Sequence, residues 1–179
     1  PEVAGLTPAG ARALLERLPS RDARLRLHWR EARVVVYNSR KIRRRATVTG
    51  VTFDVRCGKG PGAGHAADAA RRLGDLDPER ILDIAWSRHA EGEVAEPPAE
   101  SVPVVLAPEA VISLVEMLNQ ESFSAKAYYD GTSFLREHLG VQVLDRALTM
   151  RDDALDPSGI PFPFGLEGTA KRPVPLILD

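Results

Sequence analysis

Asp22-Ala23-Arg24-Leu25-Arg26-Leu27-His28-Trp29 alternates polar and apolar side chains. Successive side chains of a strand point to opposite faces, so this period of two predicts a half-buried strand. Ala23, Leu25, Leu27 and Trp29 face inward and His28 faces solvent. Working outward, Val34-Val35-Val36-Tyr37 reads as a second strand and Asn38-Ser39 as turn material. Thr47 to Arg56 reads as a third strand, with Val48 and Thr52 on one face and Val51, Phe53 and Val55 on the other. Gly50 is expected to mark a bulge. Three short strands with tight turns make an antiparallel meander.

Residues 8–18 predict a short helix on the N-terminal side. Thr7 can cap it, Pro8 suits its first position, and Ala11, Leu14, Leu15 and Leu18 form one apolar face. Gly58-Lys59-Gly60-Pro61-Gly62-Ala63-Gly64 is glycine-rich. Lys59 sits too early for a phosphate-cradling P-loop and no hydroxyl follows it, so the stretch reads as a hairpin tip or connection. Residues 65–73 and 78–92 predict helices, the second capped by Asp77 with Pro78 in its first turn and an apolar stripe of Ile81, Leu82, Ile84, Ala85 and Trp86. Residues 91–101 shift to Pro and Glu and read as a linker.

Val102 to Leu106 predicts an apolar strand. Pro108 opens a helix carrying Val111, Leu114, Val115 and Leu118. A short helix from Phe134 to Leu139 is stopped by Gly140. Val141–Leu144 and Ala147–Met150 are strand candidates, and Val174 to Leu178 is an apolar strand at the chain's end. The expected fold class is α+β: an antiparallel meander with helices on one face, then a strand–helix–helix–strand region. Two regions are expected, 1–100 and 101–179.

The chain has 179 residues, 27% charged and 44% apolar, with net charge −1. That is globular composition, not disorder. No apolar run is long enough for a transmembrane helix. A single cysteine, Cys57, excludes an internal disulfide and any multi-thiolate zinc site. The start at Pro1 without Met suggests a processed chain or a piece excised from a longer one, and the terminal apolar strand leads us to expect that the natural chain continues. The unpaired edge of that terminal strand is expected to favour self-association.

The charge is divided unevenly. Residues 1–56 carry net +8 and residues 57–179 net −9. The basic part peaks at Arg40-Lys41-Ile42-Arg43-Arg44-Arg45, a possible basic patch. Phosphate contact is one reading of the patch, and a solvated strand face or matched protein contact is the other. No aromatic interleaves this run, so single-strand stacking has no platform there and nucleic acid is not the expected partner. His28, His65, His89 and His138 never pair at metal-ligand spacing, so each reads as structural. Cys57 reads as a buried, inert thiol. Asp152-Asp153 could hold a hard cation, but adjacent loop acids are usually solvated. No catalytic constellation emerges from the residues themselves.

Five ordered blocks carry a resemblance: Val104-Val105-Leu106-Ala107-Pro108-Glu109; Tyr128-Tyr129-Asp130-Gly131-Thr132-Ser133-Phe134-Leu135; Leu139-Gly140-Val141-Gln142-Val143-Leu144; Leu148-Thr149-Met150-Arg151-Asp152-Asp153; and Pro163-Phe164-Gly165-Leu166-Glu167-Gly168-Thr169-Ala170-Lys171-Arg172. In order and spacing they resemble the TldD/PmbA family, also called modulators of DNA gyrase. Weaker similarity reaches Val35-Val36-Tyr37-Asn38-Ser39 and Asp75-Leu76-Asp77-Pro78-Glu79. The chain matches the middle portion of such proteins.

The resemblance implies a bacterial, cytoplasmic TldD/TldE heterodimer that degrades unfolded peptides and matures peptide antibiotics. The TldD-type subunit carries a zinc motif, His-Glu-x-x-x-His, on the helix before the Gly-Thr-Ser block. Here that motif falls on Glu116-Met117-Leu118-Asn119-Gln120-Glu121. Both histidines are missing, and Met117 stands where the general-base glutamate would be. Zinc hydrolysis needs imidazoles for the metal and a carboxylate for the water's proton. The resemblance is therefore to the PmbA/TldE-type subunit. No catalytic, cofactor-binding or metal residue is carried over, and zinc would belong to a TldD-type partner. The expected partners are that subunit or further copies of this chain, with peptide as substrate of the complex. The alternative is a non-enzymatic binding module whose basic strand face, Arg40, Lys41, Arg43, Arg44 and Arg45, holds an acidic partner or nucleic acid.

Overall fold

The computed structural model describes residues 3, 5–19, 22–90, 96 and 99–177. The elements run α1 (Pro8–Glu16), β1 (Ala23–Tyr37), β2 (Arg43–Cys57), β3 (Gly64–Ala70), α2 (Pro78–Ser87), α3 (Pro108–Glu121), α4 (Ala125–Asp130), β4 (Met150–Asp152) and β5 (Val174–Ile177), an α+β composition as expected. Two compact units form: residues 1–95 with 153–173, and residues 96–152 with 174–179.

In the first unit β1, β2 and β3 make an antiparallel sheet in that order. Leu25, Leu27 and Trp29 stand directly opposite Val55, Phe53 and Val51. Val51, Phe53, Val55 and Cys57 are fully buried and form the core with Ile81, Leu82 and Ala85 of α2. Leu14, Leu15 and Leu18 pack against it from the side of α1. Both helices start as their sequences dictate. Thr7 Oγ1 accepts from Gly10 N at 3.1 Å, and Asp77 Oδ1 accepts from Arg80 N at 3.0 Å, which satisfies amides that have no intrahelical partner.

Four expectations in this unit change. The separate strands at 22–29 and 34–37 are one 15-residue strand. Its half-buried positions are odd-numbered through Trp29 and even-numbered from Ala32. The register with β2 is unbroken, so the packed face changes while the strand continues. The helix expected at 65–73 is strand β3. Its four Ala residues favour a helix, but with Gly64 they make a face shallow enough for α2 to lie on. A Cβ at Gly64 would overlap the carbonyl oxygen of Ala85. Tertiary packing therefore overrides propensity here. Gly50 sits in regular register, not at a bulge; it is buried because Ile160 Cδ1 lies 3.3 Å from where its Cβ would be. The helix expected over 78–92 ends at Ser87, and the linker expected at 91–101 lies largely outside the described residues.

Residues 153–173 complete this unit against the upper half of the hairpin. Phe164 is buried and bridges to Ala170 across a turn closed by Gly165 N donating to Thr169 O at 2.8 Å. Gly168 has φ +87, and a Cβ there would lie 2.7 Å from Ile42 Cγ2, so the turn needs glycine for conformation and for space.

The second unit holds α3, α4, a 3₁₀ turn at Phe134–Glu137 and the β4–β5 pair. Ser133 is its polar anchor: buried, donating to Ser122 O at 2.8 Å and accepting from Leu135 N at 3.1 Å. Gly131, at φ 78, ends α4 in the left-handed conformation. Residues 102–106 form no strand, and Val105 is fully exposed at 101%. Pro103 interrupts any ladder there by lacking an amide hydrogen. Residues 141–144 also lie outside strands, and of 147–150 only Met150 joins one. The helix expected over 134–139 is the shorter 3₁₀ turn. The terminal strand expected to be unpaired does have a partner: β5 pairs antiparallel with β4.

Candidate functional site

Residues 116–121, on which the resemblance puts the zinc motif, lie on the last turns of α3. Glu116, Met117 and Glu121 are all exposed, Met117 at 58%. At 100° per residue, positions 116 and 121 point about 140° apart. These side chains offer two carboxylates and a thioether, and no imidazole for zinc. Of the four histidines, none lies on α3. His65 Nε2 is hydrogen-bonded to Asp54 Oδ2 at 2.8 Å between β3 and β2. His89 Nδ1 donates to Gly62 O at 2.8 Å, and His138 Nδ1 donates to Phe134 O at 2.7 Å. Carbonyl oxygens only accept, so both of these Nδ1 atoms carry the proton. Cys57 is buried in the sheet core, and burial pushes its thiol pKa up. Among the described residues, no three His, Cys, Asp or Glu side chains converge into a metal site, Asp152-Asp153 included. The described residues do not fit zinc.

The basic patch sits on the hairpin turn and the start of β2. Arg40 and Lys41 are exposed in the turn, with Lys41 at φ 60. Asn38 organises that turn: its Oδ1 accepts from Arg40 N at 3.0 Å and Ile42 N at 3.3 Å, and its Nδ2 donates to Glu167 O at 3.1 Å. Arg44 Nε donates to Gly168 O at 3.4 Å. Arg43 and Arg45 project from the opposite face, across the ladder from Tyr37 and Val35. In the sequence Asn38 reads only as turn material and the basic run is free of aromatics. The missing signal was strand register, which a linear run does not contain.

Residues 99–179 match the family model described as the PmbA/TldA metallopeptidase C-terminal domain. All five blocks of the resemblance fall within that span. No curated protein matches the chain, and no solved structure matches it. Residues 99–179 are thus similar to the C-terminal domain of the PmbA/TldA metallopeptidases. The family's Pro163–Arg172 block forms the turn that receives Asn38 and Arg44. Among the described residues no helix is long and apolar enough to cross a membrane.

Proposed function

We propose that the chain acts as a zinc-free, PmbA/TldE-like subunit of a TldD/TldE-type metalloprotease complex in the cytoplasm. Its role is to complete a partner's peptide-degrading or peptide-maturing chamber without performing the chemistry. The observation that carries this reading is the end of α3. By the resemblance, Glu116, Met117 and Glu121 fall where the catalytic members of the family would hold zinc and the general base, and all three are exposed on that helix. Without a metal-activated water or an activated nucleophile, nothing lowers the barrier to amide hydrolysis. A need for a partner, either a TldD-type subunit or further copies of this chain, is supported by α3 itself. Val111, Ile112, Leu114 and Met117 are exposed large apolar side chains on one 14-residue helix, and apolar surface left bare in one region favours a contact with another chain.

The test is co-expression with a TldD-type subunit that carries His-Glu-x-x-x-His. The two should co-purify, and the pair should cleave an unfolded peptide that this chain leaves intact. Sustained cleavage by this chain alone, lost on a point substitution within it, would overturn the reading. So would failure of the two chains to associate while the TldD-type subunit is fully active by itself.

A further inference from the structure

The hairpin divides the basic run into two faces. Arg44 turns toward the 163–172 turn and is bonded to it. Arg43 and Arg45 lie on the other face, with Arg33 beside them on β1. Register puts Tyr37 directly opposite Arg43 and Val35 directly opposite Arg45. Tyr37 is 72% exposed and Val35 61%. Among the described residues, Arg33, Arg43 and Arg45 form no ion pair with a carboxylate. Glu31 is the single acid on this face between residues 31 and 49, while Arg40 and Lys41 add charge at the tip.

Residues two apart on a strand project from one face about 6.6 Å apart. That suits successive phosphates of an extended single strand. An exposed aromatic ring beside the cations supplies the stacking surface that the linear run lacks. We propose that this face of the β1–β2 hairpin binds single-stranded nucleic acid, with the phosphates on Arg43 and Arg45 and a base on Tyr37. Three considerations favour this occupant. An acidic polypeptide could pair with the arginines, but a nucleic-acid strand brings with every residue both an anion at this spacing and a flat base for the Tyr37 ring beside Arg43. A duplex would admit the ribbon to its major groove, but the ribbon's other face is covered by residues 153–173. Charges that merely protect a sheet edge from pairing would not need Tyr37 and Val35 left bare among them.

The full chain should bind a fluorescent oligothymidylate in anisotropy titrations at low salt, and more weakly as salt rises. Arg43→Ala with Arg45→Ala should lower the slope of log affinity against log salt by about 1.4, at about 0.7 per phosphate contact. Tyr37→Ala should weaken binding about tenfold, whereas Tyr37→Phe, which keeps the ring, should not. Arg12→Ala on α1 is the charge control, and circular dichroism establishes that each variant is folded. The proposal is overturned by absence of binding, by equal loss in the Arg12 control, or by insensitivity to Tyr37→Ala in a folded variant. Equal or tighter binding of polyglutamate would overturn it in favour of an acidic polypeptide, and equal or tighter binding of duplex DNA in favour of double-stranded nucleic acid.

Discussion

Asn38 Nδ2 donates to the backbone carbonyl of Glu167 at 3.1 Å, joining the hairpin turn to a segment 129 residues later in the chain. The same side chain accepts two amides of its own turn through Oδ1. It therefore shapes the tip and docks it at once. Asn38→Ala removes all three bonds and should destabilise the first unit by about 1–2 kcal/mol in denaturant titration. Asn38→Asp keeps the two accepted bonds, loses the donated one, and should fall between.

Gly168→Ala should cost more than an ordinary surface change. The residue would be strained at positive φ and would press on Ile42, a combined cost of about 2–3 kcal/mol. Loss of protection at the Ile42 and Gly168 amides, with Phe53 still protected, is the hydrogen-exchange pattern that locates the damage. An unchanged unfolding midpoint would contradict the packing described.

The contact between α2 and β3 depends on the absence of a side chain at Gly64. Gly64→Val should lower stability by about 3 kcal/mol or more, through overlap with the Ala85 carbonyl. Truncation in the opposite sense, Phe53→Ala in the core, should cost about 3–5 kcal/mol. Thermal unfolding of both variants checks the two directions of mispacking.

Cys57 ties stability to alkaline pH. Burial raises its pKa in the folded chain, so the folded state holds the thiol proton more tightly than the unfolded state. The contribution is fully present below the unfolded thiol's value of about 8.5 and is lost as pH rises through the folded value. Cys57→Ala should remove that part of the alkaline slope in denaturation titrations. A thiol reagent at neutral pH should label native protein only as fast as it opens.

Metal analysis after dialysis should find well under one zinc per chain, because the α3 positions offer no imidazole. Stoichiometric zinc abolished by substituting protein ligands in this chain would contradict that expectation.

Much of the first unit was legible in the sequence. The period of two in residues 22–29 gave the inward face correctly, and Thr7 and Asp77 marked both helix starts. Two failures there share one cause. Residues 30–33 read as a break between two strands, where the packed face reverses, and residues 65–73 read as a helix because alanine favours helices. Both outcomes were decided by what packs against the strand, residues 153–173 in one case and α2 in the other. Local periodicity does not carry that information. In the second unit, Val102–Leu106 and Val141–Leu144 have strand-like composition but no partner strand, and composition does not supply one. At the α3 end, sequence and helix placement agree because the motif is read on one continuous helix. The Tyr37–Arg43 pair needed register, which the turn at Asn38 sets.

The change of packed face along β1 and β2 has a consequence for the nascent chain. The lower ribbon can be covered by α1 and α2, which are made before or soon after it. The upper ribbon waits for Gly168, 124 residues beyond Arg44. At about 5–20 residues per second, that delay is roughly 6–25 s on the ribosome. Throughout it Val34, Val36 and Val48 face water on a ribbon whose far end is already fixed. A chain halted before Asp153 would keep that face bare, and would present the quality-control machinery with a half-dressed sheet.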